Sequence, residues 1–179
     1  NELRRVLKLP GDVRIIEGMD IAHLQGAQAV GSLVKFIDGR PFKEGYRRFK
    51  IKSVAHIDDY ASLAEVVRRR YKYALRGEEL WPDLILIDGG LGQLRAAQTA
   101  LHETLLATVG RPEAAALPNS TTLISLAKRE ELIYRQDWDA PVKLSAHSPA
   151  RKLLQYVRDE AHRFAQHYHH ILRSKSILD

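Results

Sequence analysis

The chain of 179 residues contains no cysteine, which excludes disulfide bonds and thiolate metal sites and is compatible with a reducing compartment. No apolar run approaches the roughly 20 residues that span a bilayer as a helix, and no signal-peptide pattern opens the chain. Internal repeats are lacking, and low complexity is confined to a Gly-Arg-Pro and Ala-rich linker over 110–120. Also missing are an HExxH zinc motif and the Lys-Ser/Thr ending of a phosphate-binding loop. Gly89-Gly90-Leu91-Gly92 lacks a further glycine at position 95, where Arg95 stands, so the residues support nucleotide binding poorly.

What is present describes a globular chain. Hydrophobic residues make up 45% and charged residues 28%, in a length sufficient to bury a core. The net charge of +6 favours a polyanionic partner such as nucleic acid.

Along the chain, Arg14–Ala22 reads as an Ile-rich strand and Gln25–Gln28 as a turn. Ala29–Ile37 reads as a second strand, followed by the hairpin signal Asp38-Gly39 and a third strand over Tyr46–Ile51. These three predict an antiparallel meander. The period then becomes helical from Asp58-Asp59 to about Leu75, with Gly77 as the stop. A strand over Asp83–Asp88, a helix over about 91–107 and a strand over Thr121–Ala127 follow, and Glu131–Tyr134 is predicted to form a hairpin with Val142–Leu144. Ser148-Pro149 opens the longest helix, whose apolar set (Leu154, Val157, Ala161, Phe164, Ala165, Tyr168, Leu172) steps by three and four. The expected fold is α/β, a mixed sheet of meander plus strand–helix crossovers flanked by helices, in the element order of the ribonuclease H-like fold.

Two acids stand in or at the end of apolar strands, Asp20 after Ile15-Ile16-Glu17-Gly18-Met19 and Asp88 after Leu84-Ile85-Leu86-Ile87. A lone buried charge costs several kcal/mol unless paired or metal-bound. If their strands are neighbours the carboxylates converge, which suits a hard divalent cation. Turn capping is the rival reading of Asp88 before Gly89, and a salt-bridged strand acid that of Asp20. His162 points roughly 120° from the centre of its helix's apolar stripe, a flank position, with Asp159 three residues earlier and close enough to pair. It is either a solvated histidine or one that orients or protonates a reacting group at a cleft edge. His167, His169 and His170 have no standard ligand spacing and read as a polar face. Basic clusters at Arg47-Arg48 with Lys50, at Arg68-Arg69-Arg70-Tyr71-Lys72, at Arg151-Lys152 and at Arg173 with Lys175 favour phosphate-backbone contact over a merely solvated surface.

Glu17-Gly18-Met19-Asp20-Ile21-Ala22-His23-x-Gln25-Gly26, Tyr46-Arg47-Arg48-Phe49, Asp58-Asp59-Tyr60, Arg68-Arg69-Arg70-Tyr71, Pro82 through Leu94, and Arg158-Asp159-Glu160-Ala161-His162-Arg163-Phe164 together resemble the C-terminal nuclease half of the UvrC family of excinucleases. The likeness runs in order from about Leu3 to Asp179. It implies one ribonuclease H-like endonuclease domain over 1–179, expected to be a fragment of a larger protein. That domain makes the 5′ incision beside damaged DNA in bacterial nucleotide excision repair, in the cytoplasm. The implied site is Asp20, Asp88 and His162, with Asp59 or Asp58 as an auxiliary acid and Mg²⁺ or Mn²⁺ held by Asp20 and Asp88. Arg47, Arg48, Arg68, Arg69, Arg70, Arg158 and Arg163 are the expected DNA contacts. Partners implied are damaged double-stranded DNA and, through the full-length protein, a UvrB-type helicase subunit, with no membrane and a monomeric state.

The family's usual Glu-Cys-Phe-Asp is Glu17-Gly18-Met19-Asp20 here, and its Asp before Ser-Pro is missing from Ala146-His147-Ser148-Pro149. The N-terminal GIY-YIG nuclease, the partner-binding segment and the helix-hairpin-helix module are not in this sequence. Three roles stay open for His162: ligand, base or acid. A neutral histidine in place of a last acid favours one metal over two. A non-catalytic DNA-binding scaffold, and an RNA-cleaving enzyme of the same fold, are the competing readings. Gly89 and Gly90 are read as keeping bulk away from the DNA backbone, so that Gly89→Val would harm cleavage more than folding.

Overall fold

The computed structural model describes residues 2–23, 29–52, 58–75, 77, 79–109 and 121–178, without the side chains of residues 75, 108, 109, 169 and 172–178. The Gln25–Gln28 turn, the 110–120 linker and the side chains of His169, Leu172, Arg173 and Lys175 therefore lie outside the described residues.

The elements are α1 (Glu2–Val6), β1 (Ile15–His23), β2 (Ala29–Ile37), β3 (Arg40–Pro41), β4 (Arg47–Lys50), α2 (Asp59–Leu75), β5 (Leu84–Asp88), α3 (Leu91–Val109), β6 (Thr122–Ala127), β7 (Leu132–Arg135), β8 (Val142–Lys143) and α4 (Pro149–Leu178). They build one mixed sheet in the order β3-β2-β1-β5-β6-β7-β8, with β4 also on β2. β1 pairs in parallel with β5 and β5 with β6, and the remaining pairings are antiparallel.

The expected meander is present with one refinement. Asp38 and Gly39, at φ +52° and +79°, form the tight turn of a β2–β3 hairpin. The returning strand then breaks at a 3₁₀ turn over Lys43–Gly45 and resumes as β4. The predicted β7–β8 hairpin also forms, and β7 joins the main sheet beside β6.

Alternation sorts the strand residues onto two faces. Met19, Leu33, Ile85 and Ile87 pack with Leu63, Val66 and Val67 of α2 and Leu94 and Leu101 of α3. Ile16, Val34, Phe36, Leu84 and Leu86 pack on the other face with Leu154, Val157 and Ala161 of α4 and Leu3 of α1. Even-numbered residues of β1 and β5 thus face α4. Asp83 pins the strand starts together, accepting hydrogen bonds from the backbone N–H of Arg14 and Ile15 at 2.9 and 2.8 Å.

α1, which the sequence reading left unassigned, supplies a cap for α4. Glu2 accepts from Ser148 Oγ at 3.1 Å and from Ala150 N at 3.0 Å, while Ser148 Oγ accepts from Arg151 N at 3.2 Å. A carboxylate at a helix N-terminus meets both the unpaired N–H groups and the positive dipole end. Glu2 therefore places an acid at the helix start that lacks the family's Asp before Ser-Pro.

Position 18 also gains a purpose. A Cβ there would lie 2.6 Å from Val157 Cγ1, so glycine lets α4 sit close on β1. That close approach brings the next turns of α4 against the end of the strand.

Candidate active site

β1 and β5 pair with Ile16 beside Leu84 and Met19 beside Ile87. The same register carried one residue further sets Asp20 beside Asp88, and both share parity with the residues facing α4. Their carboxylates therefore emerge together, Asp88 at the carboxyl end of β5 and Asp20 three residues before the end of β1, near the edge where open α/β sheets place their ligands. Around them lies a cup of about 320 Å³, lined among others by Asp59, Gly89, Gly90 and Lys128.

The cup is electrostatically strained. Burial, then the neighbouring Asp20 charge, pushes the Asp88 carboxyl from 3.8 up to about 6. Lys128 and Arg158 oppose this, and a hydrogen bond with Asp20 adds to it. Ionised, Asp88 finds little compensation: its Oδ1 is buried with no hydrogen-bond partner. Its Oδ2 lies 3.6 Å from Nζ of an exposed lysine, Lys128. Lys128 escaped the sequence reading. Its signal was available as a lysine following the strand beside the one that bears Asp88.

α4 delivers His162 from the other side. Its Nδ1 lies 3.2 Å from Asp20 Oδ2 and its Nε2 3.0 Å from Gln166 Nε2, with about half of the side chain exposed. A neutral ring with Nδ1–H donating to Asp20 and Nε2 accepting from the Gln166 amide satisfies both contacts. The structure thus places His162 on the helix flank beside Asp20. Asp159 does not pair with it; that carboxylate accepts from Arg158 instead.

The two acids of Asp58-Asp59 separate cleanly. Asp58 Oδ1 accepts from Ala61 N at 3.0 Å, the capping role. Asp59 is left to line the cup and hydrogen-bonds His23 Nε2.

The glycines divide the work differently from expectation. Gly89 sits at φ +134°, and a Cβ there would meet the Gln93 side chain at 2.7 Å. Gly90 is the position with room for a Cβ, which would meet Gln93 Oε1 only at 3.9 Å, and its N–H donates to that oxygen at 3.0 Å. Gly89→Val is therefore expected to cost about 1–3 kcal/mol of stability through backbone strain. Thermal melting and incision should fall together. Preserved melting with lost incision would restore the space-clearing reading for Gly89.

The expected DNA contacts scatter. Arg70 is buried, held by Glu17 at 2.7 and 3.2 Å and by Glu79, so its charge is not presented to a polyanion. Arg158 is mostly buried on Glu131 at 2.7 Å. Arg48 stacks its guanidinium over Phe164 at 3.9 Å, and Arg163 pairs with Glu160 at 2.6 Å. Arg47 donates to the carbonyls of Glu44 and Tyr46, and Arg69 to Glu65 and the Lys50 carbonyl. Arg68 lies in a groove between α2 and α3.

Among the described residues, no three His, Cys, Asp or Glu side chains cluster as a closed metal cage. A hard divalent cation needs fewer. Mg²⁺ commonly takes one or two carboxylates and completes its shell with water and phosphate oxygens. Two adjacent carboxylates, one carrying a buried oxygen without a donor, fit that donor set. No helix of the described residues is long and apolar enough to cross a membrane.

Comparison with known proteins identifies the family of the chain. The family model described as UvrC RNAse H endonuclease domain matches residues 4–166. UvrABC system protein C of Methanosarcina acetivorans is 46% identical over 176 residues, 98% of this chain and 32% of the relative. The protein of the same name from Nostoc sp. is 43% identical over 187 residues, 98% of this chain and 28% of the relative. The chain thus spans about a third of the length of the curated relatives it matches. Among solved structures, the catalytic domain of human Endonuclease V aligns with 93% of this chain and 85% of that one, at 14% identity and a TM-score of 0.42. With a matching domain model over most of its length and relatives above 40% identity, the chain belongs to the UvrC RNase H endonuclease domain family.

Proposed function

We propose that this chain is the nuclease module of a longer excision-repair protein and hydrolyses a phosphodiester bond on the 5′ side of damaged DNA. The observation that carries the reading is the convergence of Asp20 on β1, Asp88 at the end of β5 and His162 on α4. Family membership supports the substrate and the place of the incision. It also supports a helicase subunit as the partner that the full-length protein meets.

Asp20 and Asp88 would hold Mg²⁺ or Mn²⁺, which when bound neutralises phosphate charge and lowers the pKa of water. The protein's own groups do the rest. Asp88 Oδ1, lacking a donor, is available as a ligand atom. His162 fixes the orientation of Asp20 through Nδ1, and on the solvent side its ring can take or return a proton. Lys128 offers a cation beside Asp88, where an anionic phosphate would otherwise be repelled by two acids. Asp59, on the cup wall and tethered to His23, is placed to orient water or a second shell of ligands.

A non-catalytic scaffold would be expected to neutralise its buried acids internally. Here the Asp88 charge is left under-compensated, which favours the enzyme. The test is incision by the full-length protein in the assembled repair complex. Asp20→Ala should reduce 5′ incision by about 10³-fold, the loss of roughly 4 kcal/mol of transition-state stabilisation. Normal 5′ incision by that variant would overturn the assignment.

A further inference from the structure

A groove of about 460 Å³ runs between α2 and α3 and is lined by Tyr60, Arg68, Gly92, Arg95 and, as its one acid, Glu103. It continues out of the cup. Asp59 lines the cup and Tyr60, the next residue, lines the groove; Gly90 and Gln93 line the cup, and Gly92 and Arg95 the groove. The Tyr60 hydroxyl occupies the space that a Gly92 side chain would need, so the tyrosine forms the sill between the two.

Arg69, Arg70, Arg158 and Arg163 each have a carboxylate partner. Among the described residues, neither Arg68 nor Arg95 has an ion pair or a hydrogen bond, although both converge on one concave surface. Two unneutralised guanidinium groups on a groove with a single acid complement a polyanion. Arg95 lies five residues beyond Gly90 on α3, about 7 Å along the axis, and Arg68 nine beyond Asp59 on α2, about 13 Å. Phosphates of one DNA strand rise about 3.4 Å each along the duplex axis and lie farther apart along the backbone, so the two arginines stand within a few phosphates of the cup.

We infer that the α2–α3 groove is a phosphate-backbone subsite for DNA flanking the scissile bond, with Arg68 and Arg95 as its charged contacts and Tyr60 as the sill that directs the strand. The inference rests on the nuclease reading above and adds a direction to it: the strand leaves the carboxylates on the α2–α3 side of the sheet.

The experiment uses the full-length protein carrying Arg68→Gln and Arg95→Gln, with undamaged duplex DNA as probe. Binding is measured from about 50 to 500 mM salt. Each lost phosphate contact lowers the salt slope by about 0.9, so the double variant should lose roughly 2 and bind about 10- to 100-fold more weakly at the lowest salt. In incision assays KM should rise while kcat changes little. Arg95→Gln alone, at an exposed position, should lower the slope by about 1, which keeps the test decisive if the double variant folds poorly. An unchanged slope in a folded variant overturns the subsite. So does an unchanged slope with lost binding to the helicase subunit, which would make the groove a protein interface. Asp20→Ala in the same assays separates the two readings: it should lose incision and keep the slope. If it cuts normally, the nuclease reading fails while the slope still judges the groove.

Discussion

Asp88→Asn is expected to reduce incision by about 10³-fold and, without metal, to make the protein about 2 kcal/mol more stable at pH 7.5. The carboxyl titrates near 6 in the fold against 3.8 ordinarily, because burial and the Asp20 charge disfavour its ionised form. Below about pH 4 both states hold the proton, so the group affects stability little. From pH 4 to 6 the folded state keeps a proton that the unfolded chain has lost, and stability declines as pH rises. Above 6 the penalty is complete. Asparagine resembles the protonated acid in shape and carries no charge, so it removes the penalty. Urea denaturation at pH 3.5 and 7.5 checks this: the variant should match the wild type at the lower pH and exceed it at the higher. Added Mg²⁺ should raise wild-type stability by mass action and leave the variant unmoved. An equal difference at both pH values would mean that the gain comes from packing and not from relieved charge.

Arg70→Met should destabilise the protein by about 3–5 kcal/mol, the cost of stranding a buried charge. Glu17 is fully buried and receives Arg70 Nε and Nη2 at 3.2 and 2.7 Å and the Tyr71 hydroxyl at 3.0 Å. Lys35 stands 4.0 Å away and Glu79 takes the other side of Arg70. Removing the guanidinium leaves Glu17 with one neutral donor and a distant ammonium. Glu17→Gln together with Arg70→Met should recover most of the loss, since replacing a buried pair costs far less than breaking it. The measurement is the urea midpoint of both variants. A loss below about 1 kcal/mol for the single change would show that water reaches the pair.

Arg70 also shows a signal that was legible and unread. It lies three residues beyond Val67 and four before Ala74, on the apolar stripe of α2 that reaches the core. Helical phase alone separates it from Arg68, although the two are chemically identical neighbours in Arg68-Arg69-Arg70. The DNA-contact expectation treated the run as one surface, whereas the helix turns each arginine to a different environment.

Periodicity and turn chemistry act over a few residues, so the amino-acid sequence by itself determined the long strands, the Asp38-Gly39 turn, the helix starting at Ser148-Pro149 and the flank position of His162. It also determined that Asp20 and Asp88 stand in or at the end of apolar strands and demand compensation. Only the tertiary structure decided that β1 and β5 are parallel neighbours in a register that sets the two acids side by side. It alone decided that His162, 142 residues beyond Asp20, reaches that carboxylate because Gly18 lets α4 approach the sheet. The same holds for Glu2 capping a helix 146 residues away, for Asp59 and not Asp58 lining the cup, and for Arg68 and Arg95 meeting in one groove. Such contacts depend on pairing register and helix packing, which arise from the whole set of buried surfaces and leave no mark on the local spacing of residues.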